Sequence, residues 1–194
     1  MTNRRSDRGL VDSYVLRTTR DGSAAQHTVL SKLRDVDAPV LLTASECMDH
    51  LIAGIDTTGD GLCHLLYYLS LPAIESKRVQ TALQAELVEN FGAPIDSLPY
   101  LDAVVKESLR LFTPIPMSLP RVVPAGGRTI CGVALPAGTI VNCQAYTLHR
   151  LDEAVFPHPN EYVPERWLTE EGAVERNQLF FAFAAGGRGC IGKQ

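Results

Sequence analysis

Phe183-Ala184-Ala185-Gly186-Gly187-Arg188-Gly189-Cys190-Ile191-Gly192 is the stretch that decides how the chain is read. It places one cysteine in a glycine-rich loop, two residues after an arginine. Glycines permit positive-φ turns and let backbone approach a flat ligand closely. Backbone N–H groups around Cys190, with the Arg188 cation, suit a thiolate. A turn holding an inert free cysteine is the plainer alternative, because free cysteine usually behaves as a small hydrophobe. The pattern Phe-x-x-Gly-x-Arg-x-Cys-x-Gly shifts the balance, since average residue usage produces it on the order of once in a million windows.

The segment resembles the haem-binding loop of the cytochromes P450. That resemblance makes three demands upstream, and each is met in order. Glu107-Ser108-Leu109-Arg110 puts a carboxylate and a guanidinium at i, i+3 on one helix face. Alone this is an ordinary solvated pair. The resemblance implies instead a buried Glu-x-x-Arg helix behind the haem, completed by the arginine of Pro164-Glu165-Arg166-Trp167, so that Glu107, Arg110 and Arg166 form a structural network supporting the Cys190 loop. Burial of such charges is tolerable only if they pair with one another. Ala53-Gly54-Ile55-Asp56-Thr57-Thr58 resembles the P450 signature in the long helix that crosses the haem. Its bland reading is a local helix irregularity. At 100° per residue, Asp49, Ile52, Ala53, Asp56 and Thr57 span about 140° of one face, and the resemblance makes Asp56 and Thr57 the catalytic proton relay. Finally, Leu119-Pro120-Arg121 supplies an arginine that, with Arg188, would pair with haem propionates.

By the same resemblance Cys190 is the axial ligand of the haem iron, Phe183 packs beside its sulfur, and Gly186 and Gly192 shape the cofactor loop. Ile52 and Met117 map to substrate-pocket positions. Thr147-Leu148-His149-Arg150 also looks P450-like, with His149 a candidate haem or network contact; His158 reads as a loop residue. Trp167 stands where phenylalanine is usual, and Ala184 where glycine or serine is common.

Composition sets the outer limits. The chain has 194 residues, 45% hydrophobic and 21% charged, with 18 Lys and Arg against 22 Asp and Glu. That excludes a disordered or collagen-like chain and gives no electrostatic reason to expect nucleic acid as a partner. The five cysteines have no zinc spacing and are odd in number, which favours reduced thiols. Neither a signal peptide nor a membrane span is legible.

The expected fold is mainly α with a small β part: the C-terminal part of the P450 fold, with a long central helix, a Glu-x-x-Arg helix, short strands and the cysteine-ligand loop. Residues 1–39 read as helix and loop leading into the long helix, with a short helix around Val29, Leu30 and Leu33. Residues 40–194 read as a partial haem domain, incomplete at both ends. Within it we expect a helix over 43–71, capped by Thr43 with Glu46 and able to open near Gly54. Further helices are expected over 73–91 and 99–112, the latter with an apolar stripe of Leu101, Val104, Val105 and Leu109. Two strands within 129–143 would turn at Pro136-Ala137-Gly138, and 150–178 read as irregular.

The implied function is a haem-thiolate monooxygenase that inserts one oxygen atom from O2 into an apolar small molecule. The cofactor would be haem b, iron protoporphyrin IX. NADPH would supply electrons through NADPH-cytochrome P450 reductase or a similar donor. The full-length parent would sit at the cytosolic face of the endoplasmic reticulum membrane, held through an N-terminal half that this chain lacks. Two alternatives stay open: a truncated, non-catalytic fragment, and a haem-thiolate peroxide isomerase. Isolated, the chain is expected to be inactive.

Overall fold

The computed structural model describes residues 4–193, so any expectation resting on Met1 or Gln194 lies outside the described residues. The chain divides into two compact units, Met1–Thr57 and Thr58–Gln194.

The first unit holds α1 (Arg4–Asp21), α2 (Val29–Asp35) and the beginning of α3 (Val40–Ser70). α2 answers the expected short helix. It starts from Thr28, whose hydroxyl accepts the Ser31 N–H at 3.2 Å, a standard way to satisfy an orphan helix donor. α1 has no counterpart in the sequence reading. Among its described side chains Val15 and Thr19, one turn apart, are the buried ones, while Leu10, Val11 and Tyr14 are exposed, so its apolar residues do not mark one inner face. Arg34 of α2 donates to Thr19 O and Gly22 O at 2.7 and 2.8 Å, which satisfies carbonyls at the C-terminal end of α1 that have no helical partner.

α3 begins three residues earlier than expected, and Thr43 is not its cap. Thr43 lies inside the first turn, with its N–H on Pro39 O at 2.9 Å and its hydroxyl on Ala38 O at 3.3 Å. Pro39 immediately precedes the helix, and its carbonyl accepts the Thr43 N–H, which starts the ladder at Val40. The helix is unbroken across Gly54 and Gly59. Thr57 bonds back to Ala53 O at 2.7 Å, a local contact that leaves the helix intact.

The second unit contains the rest of α3, then α4 (Ile74–Glu89), α5 (Pro99–Leu111), four short strands, α6 (Ala145–Leu151) and α7 (Ala173–Leu179). Its core joins Leu65, Val79, Val104 and Tyr162, ringed by Tyr68, Leu69, Leu83 and Phe112. Tyr68 stacks on Tyr162 with centroids 4.0 Å apart, and the Tyr162 hydroxyl donates to Val104 O at 2.6 Å. α4 anchors the start of α5: the Glu86 carboxylate accepts the Tyr100 and Leu101 N–H groups at 2.7 and 2.8 Å, meeting two orphan donors with a charge suited to the helix N-terminus. Of the apolar stripe expected on α5, only Val104 is fully buried. Val105 is 38% exposed, and the inner face is Ala103, Val104, Glu107, Ser108 and Arg110. The helix turns its charged pair inward.

The β part also differs in detail. β1 (Ser118–Val122) pairs antiparallel with β4 (Ile140–Gln144), Arg121 opposite Val141. β2 (Arg128–Ile130) and β3 (Val133–Leu135) form a separate hairpin. That hairpin turns at Cys131-Gly132, with φ of 49° and 79°, the positive pair a two-residue turn matching strand twist requires. Pro136-Ala137-Gly138 is, as expected, a turn between two short strands, β3 and β4, although these two do not pair with each other. The additional turn at Cys131-Gly132 was not legible, because Cys-Gly carries no strong turn signal. Residues 150–178, expected to be irregular, hold the end of α6, the 3-10 turn Pro164–Trp167 and α7. The fold is mainly α with a small β part, as the sequence led us to expect.

Candidate functional site

α5 carries Glu107 and Arg110 on its inner face, both fully buried. Their contact is forked: Arg110 Nε donates to Glu107 Oε2 and Nη2 to Oε1, each at 2.9 Å. Arg166, from the turn Pro164–Trp167, donates through Nε to Oε1 at 3.0 Å. The Trp167 indole N–H reaches Oε2 at 2.9 Å, and the Val163 N–H reaches Oε1 at 2.9 Å. One carboxylate thus accepts five hydrogen bonds. Arg110 spends its remaining N–H groups on the carbonyls of His149, Pro159 and Glu161 at 2.9, 2.7 and 3.0 Å, so all five of its donors are used. Arg166 also donates to Pro157 O at 2.9 Å, while its Nη2 is buried without a partner among the described residues. Burial pulls the Arg166 guanidinium below its ordinary range, opposed chiefly by the Glu107 charge. The Glu107–Arg110–Arg166 triad expected from the sequence is assembled. The sequence reading missed that Trp167 belongs to it: the indole adds a donor that phenylalanine does not have.

α6 adds the next layer. His149 is fully buried. Its Nδ1 lies 2.9 Å from Arg110 O, the end of α5, and its Nε2 lies 2.8 Å from the Phe181 nitrogen. Burial, reinforced by Arg110 and Arg150, holds the imidazole pKa down at about 4. Arg150 donates to Leu111 O at 2.8 Å, so adjacent residues of α6 satisfy adjacent carbonyls at the end of α5.

The cysteine loop stands on this layer. Phe180 stacks on His149 at 5.6 Å and meets Trp167 edge-on at 5.1 Å. Phe183 meets Phe180 edge-on at 6.3 Å. The Ala184 N–H donates to Phe181 O at 3.1 Å, and the Cys190 N–H to Phe183 O at 2.8 Å. The chain reverses through Ala184 and Gly186, with φ of 54° and 69°; the positive φ at Gly186 is where the loop needs glycine. Cys190 is an exposed free thiol. A side chain at Gly186 or Gly187 would meet nothing within 4 Å, and a Cβ at Gly192 would sit 3.7 Å from Cys190 Sγ.

The open glycine side and bare thiol form a cradle suited to a flat group that brings its own metal. Among the described residues, no three His, Cys, Asp or Glu side chains cluster to hold an ion. A soft thiolate ligand suits iron. Arg188 is exposed in the loop and Arg121 is exposed on β1, and among the described residues neither forms an ion pair. Arg121 donates only to the neighbouring Pro120 O, at 2.8 Å. Met117 is 65% exposed. In the first unit, Asp56 and Ile52 are exposed on α3 and Thr57 is half-buried. His158 is an exposed loop residue, 3.9 Å from Glu161.

An exposed cysteine loop thus stands on a buried Glu–Arg–Arg network. The cytochrome P450 family model matches residues 17–194, and the chain belongs to that family. It is 41% identical over 147 residues to a cytochrome P450 monooxygenase of Aspergillus niger, covering 74% of this chain and 29% of the relative. It is 36% identical to one of Aspergillus hancockii over 87% of this chain and 33% of the relative. With one of Botryotinia fuckeliana it shares 33% identity over 96% of this chain and 37% of the relative. The chain therefore spans about a third of the length of these relatives. Membership implies a haem cofactor. Among the described residues, no helix is long and apolar enough to cross a membrane.

Proposed function

We propose that this chain supplies the thiolate-ligand side of a haem monooxygenase acting on an apolar small molecule, with residues 40–194 contributing to the haem domain and 1–39 leading into it. Cys190 is the axial ligand, and the supporting observation is its bare thiol in a loop whose backbone is tied to the buried Glu107 network. Thiolate-ligated haem supplies activated oxygen for insertion into a C–H bond or alkene. Phe183, packed on Phe180, limits water beside the sulfur. Gly186 and Gly192 keep the loop face clear of side chains. Arg188 and Arg121, cations without carboxylate partners among the described residues, bind the propionates, for which a guanidinium fork is well suited.

Asp56 and Thr57 carry protons. The exposed Asp56 carboxylate exchanges with solvent. The Thr57 hydroxyl spends its own proton on Ala53 O and keeps lone pairs to accept another. This pair favours oxygen activation over peroxide isomerisation, which needs no proton delivery. Ile52 and Met117 contribute apolar surface to the substrate side. Electrons come from NADPH through cytochrome P450 reductase or a similar donor, at the cytosolic face of the endoplasmic reticulum.

A second reading has support of its own. α3 exposes Ile52, Ile55, Leu62 and Leu66, each more than 40% accessible. Apolar surface of this kind calls for a covering partner, so the isolated chain is expected to be inactive even where Cys190 binds haem. A ferrous–carbon monoxide difference spectrum of the chain with added haem, beside Cys190→Ala, tests the assignment. A red-shifted Soret band that disappears in the variant is expected; an unchanged band in Cys190→Ala refutes the ligand.

A further inference from the structure

His149 is buried between α5 and the root of the cysteine loop, and its two ring nitrogens have opposite duties. Arg110 O can only accept, so Nδ1 must carry a proton. The Phe181 N–H can only donate, so Nε2 must not. The neutral Nδ1–H tautomer alone satisfies both. From there the contacts run to Cys190 through consecutive peptides. Phe181 O accepts the Ala184 N–H at 3.1 Å. The peptide joining Phe183 to Ala184 turns its carbonyl to the Cys190 N–H at 2.8 Å. One imidazole therefore fixes the plane on which the Cys190 backbone rests.

We propose that His149 is a positioning residue for Cys190, a neutral two-ended clamp that holds the cysteine loop to the C-terminal end of α5. The proposal rests on the reading of Cys190 as the haem ligand, but its physical content concerns the loop alone. The charged groups around the ring are Arg110 and Glu107 from α5 and Arg150 from α6; the rings of Phe180 and Phe156 that pack on it carry no charge. Protonation would place an N–H against the Phe181 N–H and a third cation beside Arg110 and Arg150. The folded imidazole lies near 4, below its ordinary 6.5. The clamp is thus closed at neutral pH and opens as pH falls through about 4.

The test compares His149→Gln, His149→Asn and His149→Phe in the full chain. The longer glutamine places an amide oxygen near Nε2 and keeps the acceptor for Phe181. Asparagine keeps only a donor for Arg110 O, and phenylalanine keeps only the stacking on Phe180. Amide hydrogen exchange, corrected for intrinsic rates, is read at Phe181, at Cys190 and at Val163, whose N–H lies in the Glu107 network. Loss of one buried hydrogen bond corresponds to roughly a tenfold loss of protection. We expect that loss at Phe181 and Cys190 in the asparagine and phenylalanine variants, rescue in the glutamine variant, and little change at Val163. The native chain should also lose protection at Phe181 as pH falls through about 4, while the glutamine variant shows no such step. Unchanged exchange at Phe181 and Cys190, or an equal loss at Val163 in every variant, overturns the clamp. These readouts need no haem, so they separate failure of the clamp from failure of Cys190 as ligand, which the carbon monoxide spectrum reports.

Discussion

Replacing Glu107 by glutamine keeps the shape of the side chain and removes its charge. Three donors face Oε1 (Arg110 Nη2, Arg166 Nε and the Val163 N–H) and two face Oε2 (Arg110 Nε and the Trp167 indole). The amide does least damage with its oxygen on the three-donor side. Its NH2 then confronts Arg110 Nε–H and the Trp167 N–H, so two bonds are lost. The buried charge rises from one net positive, two guanidinium groups against one carboxylate, to two. Breaking a buried pair by removing one partner costs about 3–5 kcal/mol, and the two stranded donors argue for the middle of that range, about 4 kcal/mol. Trp167 is the only tryptophan in the chain and donates to Glu107, so its fluorescence reports the network directly during urea unfolding. With a urea slope of about 2 kcal/mol per molar, the midpoint should fall by about 2 M. Asp102→Asn is the control: Asp102 pairs with Lys106 at the surface, 57% and 35% exposed, and such a pair is worth under about 0.5 kcal/mol. Equal midpoints for the two variants would refute the claim that the Glu107 network bears the stability of this unit.

Two further outcomes can be measured alongside it. Ala184 holds a left-handed backbone at φ 54°, which strains an L residue by about 1–2 kcal/mol; after the extra unfolded-state entropy of glycine is subtracted, Ala184→Gly should stabilise the chain by about 0.5–1 kcal/mol in urea unfolding, and a destabilised variant would contradict the backbone conformation described. His149 is held near pKa 4 in the folded state against 6.5 unfolded, so the unfolded chain binds the extra proton; its contribution is complete above about pH 6.5 and is lost as pH falls towards 4, about 3 kcal/mol in all, a slope that urea midpoints across this range should show in the native chain and not in His149→Gln.

The division between what the chain sequence reveals and what folding adds follows the range of the forces. The cysteine loop, the Glu-x-x-Arg pair and the arginine of Pro164–Trp167 were legible because each depends on a few residues at fixed spacing. Helices α4 and α5 were legible from proline and glycine punctuation and local periodicity. α1 was not, since among its described side chains Leu10, Val11 and Tyr14 are exposed and Val15 and Thr19 are the buried ones, which leaves no clean periodic pattern. The start of α3 was misplaced because a capping-box pattern at Thr43 competed with Pro39 four residues earlier, and only the backbone decided between them. The turn at Pro136-Ala137-Gly138 was legible, but the β2–β3 hairpin was not, because Cys131-Gly132 adopts positive φ without the composition that usually announces it. The inward face of α5 could not be seen in its own residues, where Glu107 and Arg110 read as a surface pair. What makes burial bearable is far along the chain: carbonyls at His149, Pro159 and Glu161, and donors at Val163, Arg166 and Trp167. Sequence by itself determined the family, the glycine-rich cysteine loop and which charges could pair. Tertiary structure alone decided that His149 and Trp167 join them, because a buried donor or acceptor is stable only where folding brings its partner.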